Sequence, residues 1–531
     1  GVVVLNAPAG GSYMWSNGST SQSIVVTQEG NYFVEIFSGP CSGVSDSVYV
    51  DVTELVVPSV TIETPSLSIC NSDVIVFNSI SSDAGINPIF SWKKNGIVVG
   101  NTNVYVDSTL QNNDQIQCEI FTSNVCTNFP NVSSNIITVN VSSCNVIWTG
   151  AEDSNWDNIN NWMPQQIPNF ERSVIINAGT PNSPELRTTS ACFNLNIKSG
   201  AIIELSRNIF QVYGQIFGNG KLSGGGNSEL HLFCQGNAGG ISFSQQNEYS
   251  KSLANLYLNC GNVYLKDTLY ITEAIKLQTG FLETKNKLRL RANSKKSAVI
   301  KEVSSPEECA IIGDVIVERF ARGGLTGWAT IGNPVKNEKI VGWYDDFATA
   351  GFPGAVGVAG NFVSVYWYDE TTEGDLVNGY TIPSSSTDTV QIGRGYMVYL
   401  GDGFTNTNSI IYDVVGEVQI GEFQIPVTYT TPQNNVFGDV DGWNLVANPY
   451  CHTIDWDSES WVTDNIDKSI YIYNADIQNY STYIRNSDGI GINGGTNNIA
   501  AGQGFWIKAN AENPYLLATE RIKRTNNIEL Q

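Results

Sequence analysis

Segments of four to eight residues rich in Val, Ile, Thr, Tyr and Phe recur along the 531-residue chain, bounded by Gly, Asn, Asp, Ser and Pro. Residues 23–27, 32–36 and 47–52 are examples. No stretch combines sustained 3.6-residue periodicity with a matching cap. Side chains that alternate with a period of two bury one face at a time, so these segments must pair into sheets and the sheets must stack. The pattern predicts an all-β, multidomain protein, and the length predicts three or four domains.

Charge removes several classes of function. Basic residues number 28 and acidic ones 51, a net charge of −23. So little Lys and Arg argues against binding nucleic acid or anionic lipid, where phosphate must be neutralised. Only 2 His are present, which argues against His-rich metal sites and multi-imidazole catalysis. No run of about 18 apolar residues occurs, so no membrane span is expected. The chain opens at Gly1 without a charged-then-apolar leader, which reads as an interior or processed piece.

Residues 1–54 read as a partial immunoglobulin-like domain in which Asn17-Gly18 is a strong two-residue hairpin signal. Cys41 has no partner there, which suggests a first strand upstream of Gly1. Residues 55–143 carry Cys70, Trp92 and Cys118 in the order of an immunoglobulin-like sandwich, with a turn at Asn95-Gly96. Gln115–Ile120 alternates, placing Ile116, Cys118 and Ile120 on one face. Cys70–Cys126 is the preferred disulfide, leaving Cys118 a buried thiol; Cys70–Cys118 is the rival.

Residues 144–320 hold short, evenly spaced strands between Gly-, Asn- and Ser-rich turns, as in 195–197, 202–205, 229–233, 256–258 and 263–265. A β-solenoid needs this pattern, because each coil buries its inward residues on its neighbours; a β-sandwich is the alternative. Cys192, Cys234 and Cys260 read as buried or stacked small residues. In 321–531 the run Gly327-Trp328 to Asn333-Pro334 matches Gly442-Trp443 to Asn448-Pro449. Likewise Val365–Asp369 matches Ile470–Asn474, and Gly393-Arg394-Gly395-Tyr396-Met397-Val398 matches Gly502-Gln503-Gly504-Phe505-Trp506-Ile507. A unit of about a hundred residues therefore occurs twice, near 321–410 and 436–515. Two tandem sandwiches or one interleaved jelly-roll would fit.

The runs Leu5–Gly30 and Phe90–Gly100 resemble the immunoglobulin- or PKD-like repeats of large secreted and cell-surface proteins of Bacteroidota, cargo of the type IX secretion system. The solenoid resembles a β-helix segment of such proteins, and the C-terminal repeats resemble the jelly-roll-like segment that precedes their sorting domain. No sorting domain follows before Gln531. The resemblance implies an extracellular, cell-surface protein whose repeats act as spacers. Its implied partners are the type IX secretion machinery, surface glycans or other cells, and further copies of itself.

Candidate chemistry is sparse. His231 lies in a solenoid strand, and His452 follows Cys451, whose side chain should point to the opposite face; neither has a Gly-x-Ser-x-Gly element. Glycan cleavage needs acids converging in one cleft, whereas Glu204, Glu229, Asp267 and Glu283 are scattered. Catalysis is not expected, although a polysaccharide-active enzyme using the solenoid groove is the alternative. No cofactor is expected. Calcium is the one candidate ion, at Asp153 and Asp157 or at Asp439 and Asp441, but Asp and Asn in turns are ordinary turn formers. Tyr366, Trp367, Tyr368, Tyr471 and Tyr473 are candidate glycan-face aromatics, with the competing reading that Trp367 and its repeat equivalent are core. Together these features predict a non-catalytic structural or adhesive protein: spacer modules, a solenoid rod, and a C-terminal binding or assembly end.

Overall fold

A computed structural model describes the chain except residues 1, 71–73, 124–125, 143–144, 235, 304, 358–361, 401–408, 432–440, 487–489 and 525–531, and except the side chains of Ser68, Cys70 and Ser142. The described residues form an all-β, multidomain structure whose only helices are four short 3-10 turns. Two compact units divide it, residues 1–144 and 145–531.

The first unit holds two cores. In the first, Ala7, Trp15, Ile24, Val26, Val34 and Val50 are buried together. Asn17-Gly18 does turn the chain, with the Gly18 amide donating to the Trp15 carbonyl at 2.8 Å. The turn does not close a hairpin, however. Ser12–Trp15 pairs with Val34–Ser38, whereas Ser23–Val26 crosses to pair with Val3–Asn6, where Ile24 and Val26 face the core. The second core lies between a sheet of Ser59–Glu63, Ile75–Ser82 and Val104–Asp107 and a sheet built on Ile89–Lys94 and Gln115–Phe121. Here Asn95-Gly96 is a true two-residue hairpin, with Lys94 opposite Ile97 and φ of 51° and 81° at the two turn residues. Ile116, Cys118 and Ile120 alternate inward and Trp92 is fully buried. Burial pushes the Cys118 thiol up to about 11. Cys118 is free, as is Cys126, which is exposed. The Cys70 side chain lies outside the described residues, and no disulfide occurs among those described.

The second unit begins as a solenoid. Asn145–Trp148, Ser173–Ile176, Leu195–Ile197, Ile216–Gly218, Gly239–Ile241 and Val263–Leu265 stack in parallel on one face. Ser190–Cys192, Ile209–Val212, Gly225–Leu232, Ser252–Asn259 and Leu269–Glu283 stack on another. Inward positions fall in register, so Phe210, Leu230, Leu256 and Ile275 form one buried row. One coil alone could not bury these side chains; each becomes core by stacking on the next. Trp148, Trp156 and Trp162 close the first coil edge to face, with centroids 4.9 and 4.7 Å apart.

The boundary expected at 320/321 runs through a strand. Val315–Ala321 is parallel to Leu288–Leu290 on one side and antiparallel to Ile410–Gly416 on the other. One apolar core therefore continues from Val146 through the solenoid to Val418.

Each C-terminal repeat then builds its own sheet. The first has the order Trp328–Ile331, Tyr396–Tyr399, Val365–Tyr368, Tyr380–Thr381; the second has Trp443–Ala447, Gly504–Lys508, Ser469–Asn474, Asn479–Ile484. The equivalent strands pair in the same sequence and sense. The repeats meet reciprocally: Ile331 bridges to Gln503, and Val446 bridges to Arg394. The Gly332 amide donates to the Gly502 carbonyl at 2.8 Å, while the Ala447 amide donates to the Gly393 carbonyl at 2.9 Å. The approach leaves little room for a side chain: a Cβ on Gly395 would fall 2.6 Å from the Val446 carbonyl oxygen, and one on Gly504 would sit tightly at 3.0 Å from that of Ile331. Asn333 and Asn448, the paired Asn-Pro positions, are both fully buried and satisfy backbone groups of their own repeats.

Candidate functional site: an aromatic cleft between the two repeats

Strand alternation sends Tyr366 and Tyr368 to one face of the first repeat and Tyr471 and Tyr473 to the matching face of the second. The junction brings these faces together. Tyr368, Leu376 and Tyr380 from the first repeat and Trp443, Tyr471, Tyr480 and Trp506 from the second line a cleft of about 320 Å³.

Its rings meet edge to face, the arrangement that aromatic quadrupoles favour. Tyr368 stands 4.7 Å from Trp506 at 73° and 5.4 Å from Tyr380 at 83°. Trp443 lies 5.1 Å from Tyr471 at 65° and 6.4 Å from Trp506 at 79°. Burial raises the phenols of Tyr368, Tyr380 and Tyr480 above the ordinary tyrosine value, so they stay neutral. Trp506 is buried, and the other six lining residues are partly exposed or, for Leu376, exposed. None of the lining residues carries a formal charge, so the cleft offers ring faces, ring edges and phenol hydroxyls that can stack a ring or enclose a group.

Of the five sequence candidates, Tyr368 and Tyr471 line the cleft. Tyr366 packs behind it on Trp328 and Tyr380. Tyr473 meets Tyr480 edge to face and shares a 3.2 Å hydrogen bond with the Thr326 hydroxyl. Trp367 packs on the main core beneath the Arg394 guanidinium, 4.3 Å from its ring, and its equivalent Ile472 is buried. Sequence reasoning did not select Trp443, Trp506, Tyr380 or Tyr480 for the site. The repeat alignment contained Trp443 and Trp506, but only the junction shows that both line one cleft with Tyr368.

The remaining candidates are dispersed. Asp153 accepts hydrogen bonds from the Asn155 amide and the Asn161 and Asn158 side chains, and Asp157 accepts one from Thr188, as turn-stabilising acids do. Asp439 lies outside the described residues. Asp441 precedes Trp443 by two positions, and its Oδ2 is buried without a hydrogen-bond partner. The described residues contain no group of three or more His, Cys, Asp or Glu suited to a metal ion. Glu229 holds His231 at 2.7 Å and Asn255 at 3.0 Å, Asp267 accepts from Ser242, and Glu283 pairs with Lys285. Cys451 is buried, and desolvation holds the buried His452 imidazole down to about 4 while it hydrogen-bonds the Thr453 carbonyl. No helix among the described residues is long and apolar enough to cross a membrane.

Residues 147–223, which include the tryptophan-closed end of the solenoid, match a family model described as a domain of unknown function (DUF8693). No curated protein matches the chain. Among solved structures, murine CEACAM1b is similar over 27% of this chain and 92% of its own, at 15% identity and a TM-score of 0.18. The fibronectin(III)-like modules of Clostridium thermocellum CbhA align over 27% of this chain and 85% of theirs, at 12% identity and a TM-score of 0.15. The N-terminal four Ig domains of a Dscam1 isoform align over 27% and 41%, at 15% identity and a TM-score of 0.16.

Proposed function

We propose that this protein is a non-catalytic, secreted or surface-displayed adhesive protein, exported as type IX cargo, whose binding end is the aromatic cleft and whose ligand is a surface glycan. The immunoglobulin-like modules serve as spacers and the solenoid as a stiff arm. The cleft carries this reading: its rings and neutral hydroxyls suit contact with the apolar face of a sugar, and its lining is aromatic and aliphatic with no carboxylate or imidazole. A glycan array probed with the full chain tests it. Specific capture that Tyr471→Ala abolishes is the expected result; capture unchanged by Tyr471→Ala removes the cleft from the function.

One observation favours a second reading, a glycan-active enzyme on the solenoid. Glu229, His231, Asn255, Tyr257, Lys276 and Lys301 ring a hollow of about 460 Å³. It forms because the small Ala274 occupies the ladder position between Asn255 and Val299. Release of new reducing ends or unsaturated uronate from a polysaccharide panel, lost in His231→Ala, selects this reading over the first.

A further inference from the structure

The cleft has a property that a sugar-stacking platform does not need. A platform offers one or two parallel ring faces, whereas here five rings stand at 65° to 83° to their neighbours and wall a small volume from several sides. A compact, roughly spherical group satisfies such walls better than a flat ring. A π-face presented to such a group favours a cation of low hydration cost.

Three acidic residues stand close to the cleft in sequence, and one lysine lies over a wall of it. Asp369 and Glu370 directly follow Tyr368, and Asp441 lies two residues before Trp443. Glu370 is buried, and its carboxylate accepts from the Gly442 amide at 3.0 Å and the Thr430 amide at 2.7 Å. Asp369 accepts from the Thr371 amide and hydroxyl, and Asp441 keeps a buried oxygen without a hydrogen-bond partner. All of these contacts come from neutral donors, so they leave negative charge beside the cage. The Tyr368 phenol, raised first by burial, is raised further by these three carboxylates. The flanking strand already shows the preference, with the Lys508 ammonium 5.7 Å from the Trp443 ring centre.

The repeat equivalence shows what sets this cleft apart from the matching position of the first repeat. Tyr366 is opposite Met397 in the first sheet, as Tyr471 is opposite Trp506 in the second. Trp328–Tyr366 and Trp443–Tyr471 are equivalent ring pairs, at 6.0 and 5.1 Å. The symmetry-related position thus has Met397 where the cage has Trp506, and lacks that wall.

We infer that the cleft is an aromatic cage for an alkylated ammonium group, such as a choline substituent carried on a surface glycan. This rests on the cleft being the binding end.

Isothermal titration of the full chain with choline, and with its neutral carbon isostere 3,3-dimethylbutan-1-ol, tests the inference. Choline should bind saturably and about tenfold or more tighter than the isostere. Asp441→Asn, which keeps the cage's shape, should weaken choline while leaving the isostere unchanged. Trp506→Leu should abolish both while circular dichroism stays unaltered. Equal affinity for choline and the isostere overturns the inference, as does choline binding that survives Trp506→Leu. Silence toward choline together with array capture of an uncharged glycan that Tyr471→Ala abolishes overturns the ammonium assignment and leaves the binding end standing; silence in both overturns the binding end. Capture of a choline-substituted polysaccharide without co-sedimentation on phosphatidylcholine vesicles supports a glycan source, and co-sedimentation overturns that source.

Discussion

Gly332 faces Ala447 across the junction of the two repeats, and a Cβ placed on the glycine would lie 2.2 Å from that of the alanine. The two residues are each other's equivalents, so the repeats touch at the point where their pseudo-twofold relation leaves least room. Gly332→Ala should therefore destabilise the chain by about 1–3 kcal/mol through overpacking, and adding Ala447→Gly should restore much of the loss. Urea unfolding of the two single variants and the double variant measures this as a cycle. Strict additivity would mean that the contact does not set the spacing of the repeats.

Glu520 fastens the last described segment onto the end of the solenoid. Its carboxylate accepts from the Val303 amide at 2.9 Å and the Gly421 amide at 2.8 Å, and it pairs with the buried Lys523 ammonium at 2.6 Å. Glu520→Ala strands a buried cation and two amides, at a cost of about 3–5 kcal/mol. Glu520→Ala with Lys523→Met should recover part of it, because the uncompensated charge is then gone. Thermal unfolding checks the pair; a loss below about 1 kcal/mol in the single variant would show that water compensates the site.

Stability should also fall between about pH 4 and pH 7 through Asp346. Burial, with the Asp413 and Asp345 carboxylates nearby, pushes it from the ordinary 3.8 up to about 7. In that window the folded chain holds a proton that the unfolded chain has released, so raising the pH favours unfolding until the folded group ionises as well. Glu338 is raised by burial and contributes in the same direction. Asp346→Asn should flatten the urea-midpoint curve over this range, by roughly 1–2 kcal/mol after discounting for solvent screening. Parallel curves for the variant and the parent would count against it.

Much of the architecture could be read from local pattern. Period-two alternation placed Ile116, Cys118 and Ile120 on one face, and they are buried there. The Asn95-Gly96 turn closes a hairpin because both residues tolerate positive φ and its two strands are neighbours in one sheet. Asn17-Gly18 carries the same local signal and turns the chain, yet its strands belong to different sheets. Turn chemistry sets the reversal but not the partner, which is chosen by where Ile24 and Val26 find apolar surface.

The site divides in the same way. Residue order alone determined that the C-terminal region is a repeat and that Tyr368 and Tyr471 lie on strands, because alternation and self-similarity are properties of the chain taken in sequence. Only the tertiary structure decided that Trp443, Trp506 and Tyr380 join them, because that depends on two glycine-lined backbones approaching across the junction. A contact between residues more than a hundred positions apart has no periodicity to announce it, and exists only once both sheets have folded and docked.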